Sequence, residues 1–203
     1  MSLRMACVAL LMMTAAAGCD RVGVGEAPTT TQRPSRSSPV TVPDTAVDTV
    51  ATAEPGLARN RWAAGTDLAR TVTGNLTTSL ESGRGGPLIM AFANGLTLRL
   101  ERIAEHVGAD RTGSGGATFA ATLGADPNAG VYIYRVADER IYSTAPQGGV
   151  CQRDAAKFVA LSEFVNRNGD WTFVFAAFRG EQSPGPQSDR DPQLCGAYGY
   201  VVN

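Results

Sequence analysis

The chain has 203 residues, of which 43% are hydrophobic and 18% are charged, and its formal net charge is −1. Because basic residues are not in excess, there is no electrostatic basis for binding nucleic acid. Its four cysteines and single histidine lack the spacing of metal-ligand motifs, so we expect no metal or other cofactor.

The N-terminus has the three parts of a secretory signal followed by a cysteine. Arg4 supplies positive charge, Met5 to Thr14 is an apolar stretch, and small residues run from Ala15 to Gly18, directly before Cys19. The apolar stretch is too short for a membrane-spanning helix, which needs about 20 residues. The arrangement resembles the lipobox of bacterial lipoproteins. The resemblance implies that residues 1–18 are removed and that Cys19 carries a lipid. The alternative is an ordinary signal peptide cut after Ala17 or Gly18, which would leave Cys19 without a lipid. It places the protein in the bacterial cell envelope, on the inner or outer membrane, with its domain in the periplasm or at the cell surface.

Residues 19–56 are rich in proline, threonine and serine and contain no aromatic residue. A segment of this composition buries too little apolar surface to offset the entropy lost on ordering. We therefore predict a disordered tether between the lipid at Cys19 and a folded domain. A spacer is the simpler interpretation, and a segment that binds peptidoglycan is the alternative.

Residues 57–203 carry every aromatic residue and are predicted to form one domain. A short helix is predicted over 57–70, and residues 101–107 fit a helix and a strand equally well. The predicted strands are 71–80, 88–93, 96–101, 118–123, 131–137, 157–166, 171–179 and 196–202. Several short strands of this kind predict a mainly β fold, a small antiparallel sandwich or barrel with one or two short helices.

Two turns and one strand have the clearest patterns. Asn94-Gly95 and Asn168-Gly169 lie between apolar stretches and predict hairpins, the first through a type I′ turn. Strand 171–178 is apolar at both parities, which predicts a central strand with Phe173 and Phe175 in the core. The alternative is that these aromatic side chains form an exposed platform for a sugar or peptide.

The cysteines predict one disulfide. If Cys7 is lost with the signal and Cys19 carries the lipid, Cys151 and Cys195 remain as an even pair in an oxidising compartment. A redox or metal-binding pair is the alternative, although the two residues lack CxxC spacing.

The segment 180–193 is long for a hairpin loop. A tolerated surface insertion is the simpler interpretation, and the alternative is a recognition loop whose ends a disulfide at Cys195 would fix. The candidate contact residues are the polar side chains Ser183, Gln187, Asp189, Arg190 and Asp191.

Candidates for catalysis are few. The single histidine, His106, belongs to no known nucleophile motif and is predicted to be a surface residue. Glu101, Glu105 and Asp110 are the candidate carboxylates of a glycoside hydrolase. We therefore predict a non-catalytic binding or scaffolding module whose partner is an envelope protein or peptidoglycan, and a carboxylate-based cell-wall hydrolase is an alternative.

The order of lipid anchor, antiparallel β domain, Asn-Gly hairpin and late cysteine resembles that of the membrane-bound inhibitors of C-type lysozyme. Those inhibitors block the lysozyme cleft with a Ser-Gly-x-x-Tyr stretch and a later Lys-Gly stretch. Here the nearest stretch, Ser114 to Phe119, reads SGGATF, and a Lys-Gly pair is absent. The resemblance therefore implies inhibition of a cell-wall hydrolase as an alternative function, without assigning any residue to it.

Overall fold

The computed structural model describes residues 54–83 and 85–202. Within them, eight antiparallel strands form a closed barrel in which each strand pairs with its sequence neighbours and β1 pairs with β8. The strands are β1 (Arg61–Ala64), β2 (Leu76–Leu80), β3 (Leu88–Phe92), β4 (Leu96–Val107), β5 (Gly130–Ile141), β6 (Phe158–Val165), β7 (Trp171–Phe178) and β8 (Leu194–Val202). A π-helical turn (Ala69–Thr73) follows β1, and helix α1 (Phe119–Leu123) lies between β4 and β5. The predicted mainly β fold with short helices is confirmed, as a barrel. The predicted signal peptide, Cys19 and the tether up to residue 53 lie outside the described residues.

Because neighbouring strands run in opposite directions, the barrel has two rims. We call the rim where β4 and β6 end, and where β5 and β7 begin, the mouth. The opposite rim, with the β5–β6 and β7–β8 loops, is the base.

The barrel interior is filled with side chains, as expected for eight strands. Phe173 and Phe175 are both 0% exposed, so the core interpretation of strand 171–178 is confirmed and the exposed platform is wrong for both residues. The Phe175 ring lies 4.7 Å from that of Tyr198 and 6.0 Å from that of Tyr200. Burying these rings removes a large apolar area from water, which is the main force that stabilises such a barrel.

A second apolar cluster explains why β7 is apolar at both parities. Val174, Ala176 and Phe178 point out of the barrel and pack against Phe119 and Leu123 of α1. β7 is therefore covered on its inner face by the barrel core and on its outer face by the connection between β4 and β5.

Two predicted elements are wrong. In place of a helix over 57–70, the chain forms β1, which closes the barrel by pairing with β2 and β8 and buries Trp62. Tertiary pairing overrides local helix preference over so short a stretch.

In place of a strand over 118–123, the chain forms α1. The Thr118 hydroxyl accepts a hydrogen bond from the Ala121 amide at 3.2 Å, and Gly124 ends the helix with a φ of 64°. Threonine before the first turn and glycine after the last are helix-capping signals. Helical spacing also places Phe119 and Leu123, four residues apart, on the same apolar face.

Both hairpins form, but the first has a different turn from the one predicted. Gly95 has a φ of 92° and Asn94 does not have a positive φ, so a type I′ turn is wrong. The Gly95 amide donates to the Phe92 carbonyl at 3.0 Å, which gives a three-residue loop with glycine in the last position. In the second hairpin, the Gly169 amide likewise donates to the Asn166 carbonyl at 3.0 Å.

Residues 101–107 are strand, since β4 continues to Val107. The predicted strand 71–80 begins only at Leu76, because the π-helical turn takes up Ala69–Thr73 and Gly74 then turns the chain with a φ of 70°.

Candidate functional site

The loop 180–193 folds back onto the connection between β4 and β5. The Gly185 amide donates to the Thr112 carbonyl at 2.9 Å, and the Ser114 amide donates to the Ser188 carbonyl at 2.9 Å. Where the two ends of the loop meet, the Gly180 amide donates to the Pro192 carbonyl at 2.9 Å. We call residues 111–118 and 180–193 together the loop pair. Its two members fix each other's backbone in place.

The candidate contact residues lie on the outer side of the loop pair. Gln187, Asp189, Arg190 and Asp191 are exposed, whereas Ser183 is half-buried. The Asp191 carboxylate accepts a hydrogen bond from the Gln193 amide at 2.8 Å, so this side chain also shapes the loop. The inner side is formed by buried residues, which are Pro184, Gly185, Ser188 and Pro192.

His106 is half-buried beneath the loop pair, so its prediction as a surface residue is wrong. Its Nδ1 lies 3.3 Å from a carboxylate oxygen of Asp110, and its ring stacks on Phe119 with centroids 5.6 Å apart. On the Nε2 side lies Gly185, where an added Cβ would come within 2.9 Å of Nε2. The imidazole therefore fills the space between β4, α1 and the loop.

The structure does not bring Glu101 and Glu105 together. A β-bulge between Arg102 and Ala104 shifts the register of β4, so Glu101 pairs with Arg135 on the outer face and Glu105 pairs with Tyr132 on the inner face. Each carboxylate also forms an ion pair with an arginine, Glu101 with Arg99 at 3.0 Å and Glu105 with Arg102. Spacing alone would have placed both acids on one face.

Cys151 and Cys195 form the predicted disulfide, with their Cα atoms 5.1 Å apart. The bond joins the β5–β6 loop to the start of β8, directly after the loop 180–193. Nearby, burial and the carboxylate of Glu139 raise the pKa of Tyr198 from 10.0 to about 12.

The mouth holds a cluster of polar side chains that the sequence did not predict. The Glu54 carboxylate accepts a hydrogen bond from the Tyr134 hydroxyl, and its other oxygen lies 3.3 Å from Nη1 of Arg102. Tyr134 is fully buried; burial and then the bond to Glu54 raise the pKa of its hydroxyl. Pro55 and Gly56, assigned to the tether by sequence, are buried here.

Gly56 is held through its backbone. Its amide donates to Glu163 at 2.5 Å, and its carbonyl accepts from the Thr78 hydroxyl at 2.5 Å. The Trp171 indole donates to the other oxygen of Glu163, and Arg59 lies 5.4 Å above the Trp171 ring. Glu163, Thr78 and Trp171 come from separate strands and Arg59 precedes β1, so no local sequence motif connects them.

Two open clefts of about 410 Å³ lie outside these polar clusters, one at the mouth rim, lined by residues 124–127 and 164–168, and the other lined by residues 136–139, 141 and 152–156. Among the described residues, no three His, Cys, Asp or Glu side chains are grouped so that they could hold a metal ion. Nor does any helix in residues 54–83 and 85–202 have the length and apolar character to cross a bilayer.

Comparison with known protein-family models, curated proteins and solved structures finds no match for this chain.

Proposed function

We propose that the chain is an envelope-anchored lipoprotein whose barrel is a non-catalytic binding or scaffolding module, with the loop pair as its recognition surface. The supporting observation is the backbone hydrogen bonding of 180–193 to 111–118, which leaves Gln187, Asp189 and Arg190 exposed. A loop that is already ordered loses little conformational entropy on binding.

The chemistry of the exposed side chains indicates a polar partner. Asp189 and Asp191 are acceptors, Arg190 is a planar donor that pairs well with carboxylates, and Gln187 both donates and accepts. A surface protein of the envelope and the carboxylate-bearing peptides of peptidoglycan both offer matching groups.

The anchor is the part of the proposal that places this surface at a membrane. Labelled palmitate should enter the wild-type protein and not a Cys19→Ala variant. Equal labelling of the two proteins would remove the lipid from the proposal.

The recognition surface is tested with the full chain as bait in an envelope extract. The triple variant Gln187→Ala, Asp189→Ala and Arg190→Ala should lose a partner that the wild type retains. The matched control changes three exposed residues on the outer face of β1 and β2, Arg61→Ala, Thr77→Ala and Ser79→Ala, and should retain it. Equal retention by both variants would contradict the assignment.

A retained partner also distinguishes scaffold from inhibitor. If the partner cleaves cell wall and its activity falls as the domain is added, the domain is an inhibitor. If the partner's activity is unchanged, it is a scaffold or receptor.

A further inference from the structure

The mouth of the barrel forms a second site, which shares no residue with the loop pair. We propose that it binds a short acidic peptide segment, and that residues 54–57 occupy it as an intramolecular ligand. Peptides from other chains that carry a glutamate before a Pro-Gly sequence would compete for the same groups.

The first part of the site is a carboxylate receptor. Each oxygen of Glu54 faces a different donor, the Tyr134 hydroxyl on one side and the Arg102 guanidinium on the other. A neutral donor and a cation placed on the two oxygens of one carboxylate make a charge-assisted pair that is stronger than bonds between neutral groups.

The second part recognises backbone. Glu163 accepts from the Gly56 amide and Thr78 donates to the Gly56 carbonyl, so both peptide groups of one residue are bound. Gly56 has a φ of 81°, and an added Cβ would lie 2.9 Å from Cε2 of Phe173. The site therefore selects glycine two residues after the acid.

The receptor groups are held by partners other than the segment they bind. The Arg102 guanidinium lies 4.8 Å above the Tyr132 ring and pairs with Glu105. The Glu163 carboxylate is oriented by the Trp171 indole, and Tyr134 is part of the barrel core. Groups that are already in position lose little freedom when a ligand arrives, which is the property of a binding site.

One donor beside the site is buried. Among residues 54–83 and 85–202, the indole N–H of Trp62 has no hydrogen-bond partner, and its ring lies 5.2 Å from Phe173, the residue against which Gly56 packs. Buried donors of this kind are rare in folded proteins.

The intramolecular segment sets the conditions for binding. A short connection holds its ligand at an effective concentration in the millimolar range, so a free peptide competes poorly while Glu54 is present. Removing the Glu54 carboxylate should weaken the binding of residues 54–57 to the mouth, because only the two backbone bonds of Gly56 remain.

The test uses the full chain with Glu54→Ala and the blocked pentapeptide AEPGL, which copies residues 53–57. Both tryptophans of the chain, Trp62 and Trp171, lie beside the mouth, so intrinsic fluorescence reports on the site. We expect saturable binding to Glu54→Ala and at least tenfold weaker binding to the wild type. The peptide AQPGL, and AEPGL on Glu54→Ala with Arg102→Gln, should each bind at least tenfold more weakly.

Two results would overturn the proposal. One is equal affinity of AEPGL for the wild type and the variant. The other is no saturable signal from a folded Glu54→Ala chain up to about 10 mM peptide, above the effective concentration of a short tether.

If Glu54→Ala does not fold, the wild type provides the test. Excess AEPGL should speed hydrogen exchange of the Gly56 amide, because the peptide displaces residues 54–57, and AQPGL should not. Unchanged Gly56 exchange would contradict the proposal.

Discussion

The Tyr198 hydroxyl donates a hydrogen bond of 2.6 Å to the carbonyl of Val150. Val150 precedes Cys151, whose disulfide partner Cys195 lies three residues before Tyr198. The β5–β6 loop is thus joined to β8 both covalently and by a buried hydrogen bond, at the point where the loop 180–193 returns to the barrel.

Replacing Tyr198 with phenylalanine should lower the free energy of unfolding by about 1–3 kcal/mol, because the buried Val150 carbonyl loses its donor. Urea denaturation measures the change. Tyr142→Phe is the control, since Tyr142 is exposed in the same loop and should leave the midpoint unchanged. Equal midpoints for the two variants would show that the bond to Val150 contributes no stability.

Removing the disulfide should lower the free energy of unfolding by more than Tyr198→Phe does. Cys151 and Cys195 are 44 residues apart, and in the chain-entropy model closing such a loop stabilises the fold by roughly 4 kcal/mol. The double variant Cys151→Ala, Cys195→Ala should therefore melt well below the wild type. In a separate test, thiol titration of the wild-type domain 57–203, denatured but not reduced, should find no free thiol. Two titratable thiols in that domain would refute the bond.

Phe173→Ala should destabilise the barrel by about 3–5 kcal/mol, through lost burial of the ring and the cavity left behind. Val165→Ala is the control, because Val165 is exposed at the mouth end of β6 and should change stability by less than about 0.5 kcal/mol. Thermal melts compare the two. An unchanged melting temperature for Phe173→Ala would be incompatible with a filled barrel.

Stability should fall in alkaline solution. Burial raises the pKa of Tyr198 from 10.0 to about 12 and also raises the pKa of Tyr134 and Tyr200. The pKa of Tyr198 is higher in the folded than in the unfolded chain. Its protonated hydroxyl therefore contributes fully to stability below pH 10, and this contribution is lost as the pH rises toward 12.

Melting curves recorded between pH 10 and 12, together with tyrosinate absorbance, show whether stability falls as the pH rises. The melting temperature of Tyr198→Phe should fall less steeply with pH than that of the wild type, since one titrating group is gone. Tyrosinate absorbance near pH 10 equal to that of all five tyrosines, in a protein that stays fully folded, would contradict burial of these three hydroxyls.

The parts of the fold that the sequence predicted well are those with strong local periodicity. The two faces of Trp171–Phe178 and the Asn-Gly pairs each carry their own signal, and the disulfide followed from cysteine number and compartment. Helix α1 was missed although Thr118 and Gly124 are capping residues, because a five-residue helix has too little periodicity to outweigh a strand pattern.

The two candidate sites also differ in how much of each could be predicted from the sequence. The loop 180–193 is continuous in sequence, so its length and polarity could be recognised. The mouth depends on barrel closure, which brings Glu54 to Arg102 and Tyr134 across long sequence separations. The bulge in β4 that separates Glu101 from Glu105 likewise arises from pairing with β5.

The central claim is that the outer side of the loop pair contacts a partner in the cell envelope. It is tested most directly by placing a photo-reactive phenylalanine analogue at Gln187 of the full chain in cells, with the same analogue at Thr77, on the outer face of β2, as a control. Both positions are exposed, so neither substitution should disturb the core. The account predicts a discrete cross-linked adduct from Gln187 after illumination and none from Thr77. No adduct from Gln187, or the same adduct from both positions, would contradict it.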